Sequence, residues 1–256
     1  MVPEPSGVLE MPIVRKREQE PPPEVIRGPS GTVQRSVLVN VDPVQLPGDL
    51  VVPAVSVGIA IFAHGSGSSR RSPRNVQVAR RLNEAGVATL LFDLLTLAEA
   101  EDRTNVFDIE LLARRLEGAE EWLHRWPQAG TVPVAFFGAS TGAAAALVAA
   151  ARLGARVAAV VSRGGRPDLA GEALPRVTAP TLLIVGGDDT EVLGLNRRAE
   201  ARMRCERRLE VIPGATHLFE EPGALERVAE LAAEWFSGHL LEAGQGRRAT
   251  SATLFL

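Results

Sequence analysis

The stretch Gly138-Ala139-Ser140-Thr141-Gly142 decides how this chain folds. It follows the apolar run Val132-Pro133-Val134-Ala135-Phe136-Phe137 and opens an alanine-rich run from Ala143 to Ala151. That order reads as strand, sharp turn, helix. A serine at such a turn must take a strained backbone to push its hydroxyl out of the sheet, and small neighbours relieve the crowding. Its neighbours here are Gly, Ala, Thr and Gly. The helix that follows aims its N-terminal N–H groups and positive dipole end at the serine oxygen. Ser140 therefore reads as a nucleophile.

A nucleophilic serine needs a histidine base, and the chain has 4 histidines. His124 lies in a helical pattern and reads as a surface helix residue. His239 falls near the end of the last helix, where a cation suits the dipole. His64 belongs to a separate Gly-rich turn. His217 remains, in Pro213-Gly214-Ala215-Thr216-His217, just past the strand-like run from Leu209 to Ile212. A loop at a strand end lets a base reach a nucleophile on a neighbouring strand.

The base needs a carboxylate to orient its ring. The run Pro180-Thr181-Leu182-Leu183-Ile184-Val185 reads as a buried parallel strand, and it ends in Gly186-Gly187-Asp188-Asp189. Either aspartate is at the right strand end, and the other reads as a cap for the next helix. Asp93 also ends a strand, but it precedes the serine and reads as a loop or cap residue.

An acyl-transfer site also needs N–H donors for the developing oxyanion. Thr141, directly after the nucleophile, should supply one. The turn His64-Gly65-Ser66-Gly67 follows another apolar strand, and Ser66 is the second candidate. This turn is not a phosphate loop, because it lacks a Gly-Lys-Ser/Thr and the third glycine of a dinucleotide fingerprint. Arg70, Arg71 and Arg74 follow it, either as attractors of an acidic substrate group or as solvated residues at a helix start.

Serine, aspartate and histidine in that chain order, each at a strand end and preceded by a His-Gly-x-Gly loop, resemble the α/β-hydrolase superfamily. The similarity is greatest to its dienelactone-hydrolase-like branch of small members without a cap, and it spans roughly residues 34–240. The resemblance implies Ser140 as nucleophile, His217 as base and His64-Gly65-Ser66 as oxyanion loop. A strand-end Gly-x-x-Asp pattern points to Asp189 as the acid. Dienelactone hydrolases proper use a cysteine nucleophile. Serine in its place shifts the expected substrate towards ordinary carboxylic esters.

Composition narrows the class. The chain has 256 residues, 45% of them hydrophobic, and a net charge of −3, as expected of one ordinary globular domain. Arginines are spread and balanced by acids, so no nucleic-acid partner is expected. No apolar run is long enough for a bilayer, so no membrane partner is expected either. The N-terminus lacks a signal pattern, which predicts a cytoplasmic protein. The single cysteine, Cys205, allows no internal disulfide and no cysteine metal cluster. The only lysine, Lys16, lies in the N-terminal segment, which removes Schiff-base chemistry from the domain. No metal or cofactor is expected. The expected partner is a small-molecule ester, and a homo-oligomer is left open.

Residues 1–30 hold seven prolines and read as an extended arm. Residues 31–242 read as the α/β-hydrolase domain, and 243–256 as a C-terminal tail. Strand patterns fall near 34–41, 49–52, 56–63, 87–93, 132–138, 156–162, 180–186 and 207–212. Helical patterns fall near 73–86, 107–126, 141–153, 191–204 and 222–240. From residue 56 onward the two alternate, which predicts an α/β fold with a mostly parallel sheet of about eight strands and helices on both faces. The early strands should form an antiparallel edge. The gap between Ser162 and Pro180 is too short for a cap domain. The site should therefore be an open cleft suited to small or exposed esters, with Leu94–Asn105 its longest covering loop. The sequence predicts a serine carboxylesterase. The same residues would also serve a thioesterase, lactonase, peptidase or acyltransferase, and a non-catalytic binding module is a weaker rival.

Overall fold

The computed structural model describes residues 25–27, 31–125 and 132–253. Nine strands form one sheet: β1 (Val25–Arg27), β2 (Val33–Val41), β3 (Val44–Val52), β4 (Gly58–Ala63), β5 (Val87–Phe92), β6 (Val134–Ala139), β7 (Val157–Arg163), β8 (Thr181–Gly186) and β9 (Arg207–Ile212). Their order across the sheet is β1-β2-β3-β5-β4-β6-β7-β8-β9. The first three strands and the β3–β5 pair are antiparallel, and every pair from β5 to β9 is parallel. This is the α/β-hydrolase architecture, with one strand more than the sequence predicted. The extra strand, β1, lies inside the stretch expected to be an extended arm. Three residues are too short for a periodicity to register.

The helices are α1 (Pro73–Glu84), α2 (Leu97–Glu101), α3 (Arg103–Phe107), α4 (Ile109–His124), α5 (Thr141–Leu153), α6 (Thr190–Arg202) and α7 (Ala224–Thr253). Parallel strands β4, β5, β6 and β8 are buried along their whole length, because helices cover both faces. On one face, Val78 and Leu82 of α1 and Val228 and Phe236 of α7 pack on Phe62, Phe137 and Val161. On the other, Leu112 and Leu116 of α4 and the alanines of α5 pack on Ile61, Phe136 and Val160. The alanines of α5 let that helix lie close against the sheet. Its first ten residues are all buried.

Two boundaries differ from the sequence reading. The last helix continues through residue 253, so 243–253 are not a separate tail. The covering loop at 94–105 folds into α2 and α3. Thr96 and Glu99 form a reciprocal capping box at the start of α2, and Asp102 caps α3. No cap domain is present among the described residues. The segment between β7 and β8 holds only a 3₁₀ stretch, Pro167–Arg176.

Candidate active site

Ser140 sits between β6 and α5 with φ 51° and ψ −121°, one of two non-glycine residues with positive φ among the described residues. Such a backbone costs about 1–3 kcal/mol and persists only where its surroundings enforce it. The enforcement is visible in the glycines. A Cβ on Gly138 would stand 2.4 Å from the Ala143 Cα, and one on Gly142 would stand 2.3 Å from the Ala63 carbonyl oxygen. Both positions admit only hydrogen, so the turn is tight by construction. The Ser140 N–H donates to the Arg163 carbonyl at 3.2 Å, tying the turn to β7.

Asp189 and His217 meet at the same end of the sheet. His217 Nδ1 lies 2.7 Å from Asp189 Oδ2, and their side chains are 38% and 14% exposed. This pairing separates the two aspartates left open by spacing. Asp189 occupies the position before α6, yet its carboxylate turns to the imidazole and caps nothing. Asp188 is exposed, and its contribution is a backbone N–H to Ala215 O at 3.0 Å. The expected cap role of Asp188 is therefore not observed. Two residues past His217, Phe219 is buried at φ 56° and pins the loop to the sheet. Among the described residues, the Ser140 hydroxyl has no hydrogen bond to His217. The ring does reach over Gly164, where an added Cβ would come within 3.6 Å of His217 Cε1.

The candidate oxyanion loop, residues 64–67, is held from both sides. His64 Nε2 accepts the Leu94 N–H at 3.1 Å, so the other ring nitrogen, Nδ1, carries the proton and donates to Gly65 O at 3.0 Å. Burial lowers the His64 pKa, against smaller upward effects of the Gly65 hydrogen bond and of Asp93. The residue is thus a neutral strut joining the loops after β4 and β5. The Ser66 N–H donates to Thr141 Oγ1 at 3.0 Å, so the two candidate donor residues lie side by side. In this structure that N–H is occupied by the threonine hydroxyl.

The remaining candidates sort by their partners. Asp93 accepts from the Arg70 backbone and pairs with its guanidinium, which also reaches Asp49 at 3.2 Å. Arg74 pairs with Glu220 at 3.2 Å. His124 sits in the last turn of α4 against Glu120. His239 is not near a helix end as predicted. It meets the Trp235 ring edge-on, centroids 4.5 Å apart, with α7 continuing beyond it. A cavity of about 320 Å³ opens beside the oxyanion loop, with Pro47, Leu94, Leu97 and Leu112 among its walls. Residues of α2 and α3 line it, so the stretch expected as the longest covering loop does border the cleft, folded as two short helices. No group of three or more His, Cys, Asp and Glu able to hold a metal occurs among the described residues. Within the same residues, no helix is long and apolar enough to cross a membrane.

The fold is that of the α/β-hydrolase class. The Dienelactone hydrolase family matches residues 55–237, and the chain belongs to that family. A crystal structure of dienelactone hydrolase from Anabaena variabilis is 57% identical, with a TM-score of 0.78 over 80% of this chain and 97% of that one. Est1E from Butyrivibrio proteoclasticus is 17% identical with a TM-score of 0.69, covering 80% of this chain and 98% of that one, and shares the fold. A Mycobacterium tuberculosis protein named "Putative phosphoribosyl transferase" is 60% identical over 208 residues. The match covers 81% of this chain and 47% of that protein, so the chain spans about half the length of this relative.

Proposed function

We propose that the chain is a serine carboxylesterase that works through an acyl-enzyme on Ser140. The observation that carries this reading is the strained Ser140 backbone at the same sheet end as the Asp189–His217 pair. In the proposed cycle Ser140 Oγ attacks the ester carbonyl carbon and His217 takes its proton. Asp189 fixes the ring tautomer and stabilises the imidazolium. The carbonyl oxygen becomes an anion held by the Thr141 and Ser66 N–H groups, the latter exchanging the threonine hydroxyl for the stronger acceptor. Each donor contributes about 3 kcal/mol of barrier lowering. The C–O bond then breaks, and His217 returns the proton to the departing alcohol. Water, activated by the same histidine, attacks the acyl-enzyme, releases the acid and restores Ser140.

The transferase name of the mycobacterial relative does not redirect this reading. The stretch of this chain aligned to it is largely the stretch that carries the hydrolase fold. A fluorophosphonate should label Ser140 in the native chain, and chromogenic esters should be turned over. Ser140→Ala should remove the label and lower the rate about 10⁴-fold or more. Labelling elsewhere, or an alanine variant that keeps its rate, overturns the proposal.

A further inference from the structure

A cavity of about 320 Å³ opens on one side of the candidate nucleophile, and the strand order fixes which half of a substrate it faces. Ser140 stands at the end of β6. Strands β7, β8 and β9 lie to one side of it, with Asp189 and His217 just past the ends of β8 and β9. Strands β4, β5 and β3 lie to the other. The cavity is built there, from the loops after β4 and β5 and from α2, α3 and α4. One wall is the candidate oxyanion loop itself, through Gly65 and Ser66. A Cβ added to Gly65 would come within 3.1 Å of Ser140 Cβ, and the Ser66 N–H reaches Thr141 Oγ1 at 3.0 Å. The cavity thus begins where an ester carbonyl sits in the proposed cycle. The base of an acyl transfer hands its proton to the leaving alcohol, so the alcohol half belongs on the His217 side. The acyl half runs the other way, into the cavity.

The walls select the chemistry of that half. Pro47, Leu94, Leu97, Val106 and Leu112 supply aliphatic surface. Leu112 is buried, whereas Leu97 is 91% exposed, so an acyl chain would cover leucine surface that now faces water. The charged groups in the wall are already matched. Arg70 pairs with both Asp93 and Asp49. His64 uses both ring nitrogens, on the Gly65 carbonyl and the Leu94 N–H. A carboxylate on the acyl chain would enter without a counter-ion, at a cost that an uncharged chain avoids.

We propose that this cavity is the acyl pocket of the site, and that esters of uncharged aliphatic acids of up to about eight carbons are its substrate class. The size follows from the volume. A cavity of about 320 Å³ holds about ten groups the size of a water molecule, at about 30 Å³ each. A methylene is of similar size, so a medium chain enters with its carbonyl left at the oxyanion donors. The inference rests on the esterase reading and adds the acyl half to it.

The test measures turnover by the full chain on p-nitrophenyl esters from acetyl to dodecanoyl. kcat/KM should rise about fourfold for each methylene buried. The rise should level off at about eight carbons. The p-nitrophenyl monoester of adipic acid, which ends in a carboxylate, should fall at least about a hundredfold below the hexanoyl ester. Ala100 lines the cavity from an exposed position on α2, so Ala100→Trp narrows the mouth at little cost to folding. It should lower the octanoyl-to-acetyl ratio of kcat/KM at least about tenfold. A flat length profile, with Ser140 still taking the fluorophosphonate label, overturns the inference and leaves the esterase reading standing. So does an adipoyl ester cleaved as fast as the hexanoyl ester, or a ratio that Ala100→Trp leaves unchanged. A rise that continues unbroken to dodecanoyl would put the chain outside the cavity and would also overturn it. No label and no cleavage of any ester in the series would overturn both readings together.

Discussion

At the scale of single residues, two contrasts carry the weight. Asp189 and Asp188 are adjacent, yet one pairs with His217 and the other faces solvent. Asp189→Asn should lower kcat about 10⁴-fold by favouring the wrong imidazole tautomer. Asp188→Asn should shift stability by no more than about 0.5 kcal/mol and leave turnover near wild type. Steady-state kinetics of the two variants read the difference directly, and the reverse pattern would reassign the acid. His64 differs from His217 in being a buried strut. Its folded pKa lies below the ordinary histidine value, so between those two values the unfolded chain binds more protons than the folded one. The stability it contributes is complete above the ordinary value and is lost as pH falls towards the folded value. The wild-type Tm should therefore drop on acidification from about pH 7 to pH 5. His64→Gln should show a shallower drop in the same calorimetric series.

At the scale of elements, the site depends on how closely α5 approaches β4. Gly142 lies against the Ala63 and His64 carbonyls, with room for a hydrogen and no more. Gly142→Ala must push the helix start away from the oxyanion loop. The expected cost is about 1–3 kcal/mol of stability, as for other overpacked positions. Activity should fall further than that figure suggests, because the Thr141 N–H and the Ser140 turn move together. Urea unfolding alongside ester kinetics separates the two effects. Stability unchanged within error would mean that the helix start yields without cost. The same principle explains α2 and α3. They are five residues each, too short for a helical period, but the caps at Thr96 and Asp102 stabilise them.

At the scale of the molecule, the site is assembled from four strand ends that are far apart in sequence. Crossover connections bring the ends of β4, β6, β8 and β9 to one edge of the parallel sheet, where ligands of open α/β sheets bind. The proposed chemistry needs only those side chains and water. Dialysis against EDTA should accordingly leave both Tm and esterase activity unchanged. Loss of activity restored by a divalent metal would show the proposed cycle to be wrong or incomplete.

The sequence by itself determined the strand–helix alternation, and with it the parallel sheet. Continuous apolar runs bounded by glycine and aspartate have few other solutions. It also marked Ser140, because a small-residue turn between a strand and an alanine-rich helix is a local feature. Other features were decided only in three dimensions. Spacing left Asp188 and Asp189 open and only the family resemblance pointed to Asp189; its pairing with His217 depends on the β8–β9 register and on where the loop pinned by Phe219 turns. The strand at Val25–Arg27 exists through its pairing with β2, since three residues carry no period of their own. The neutral state of His64 follows from its burial between two loops, which no local pattern encodes. Arg163 ends a strand like any polar residue in the sequence. Only the assembled fold leaves it 8% exposed, since burial is a property of the packed chain.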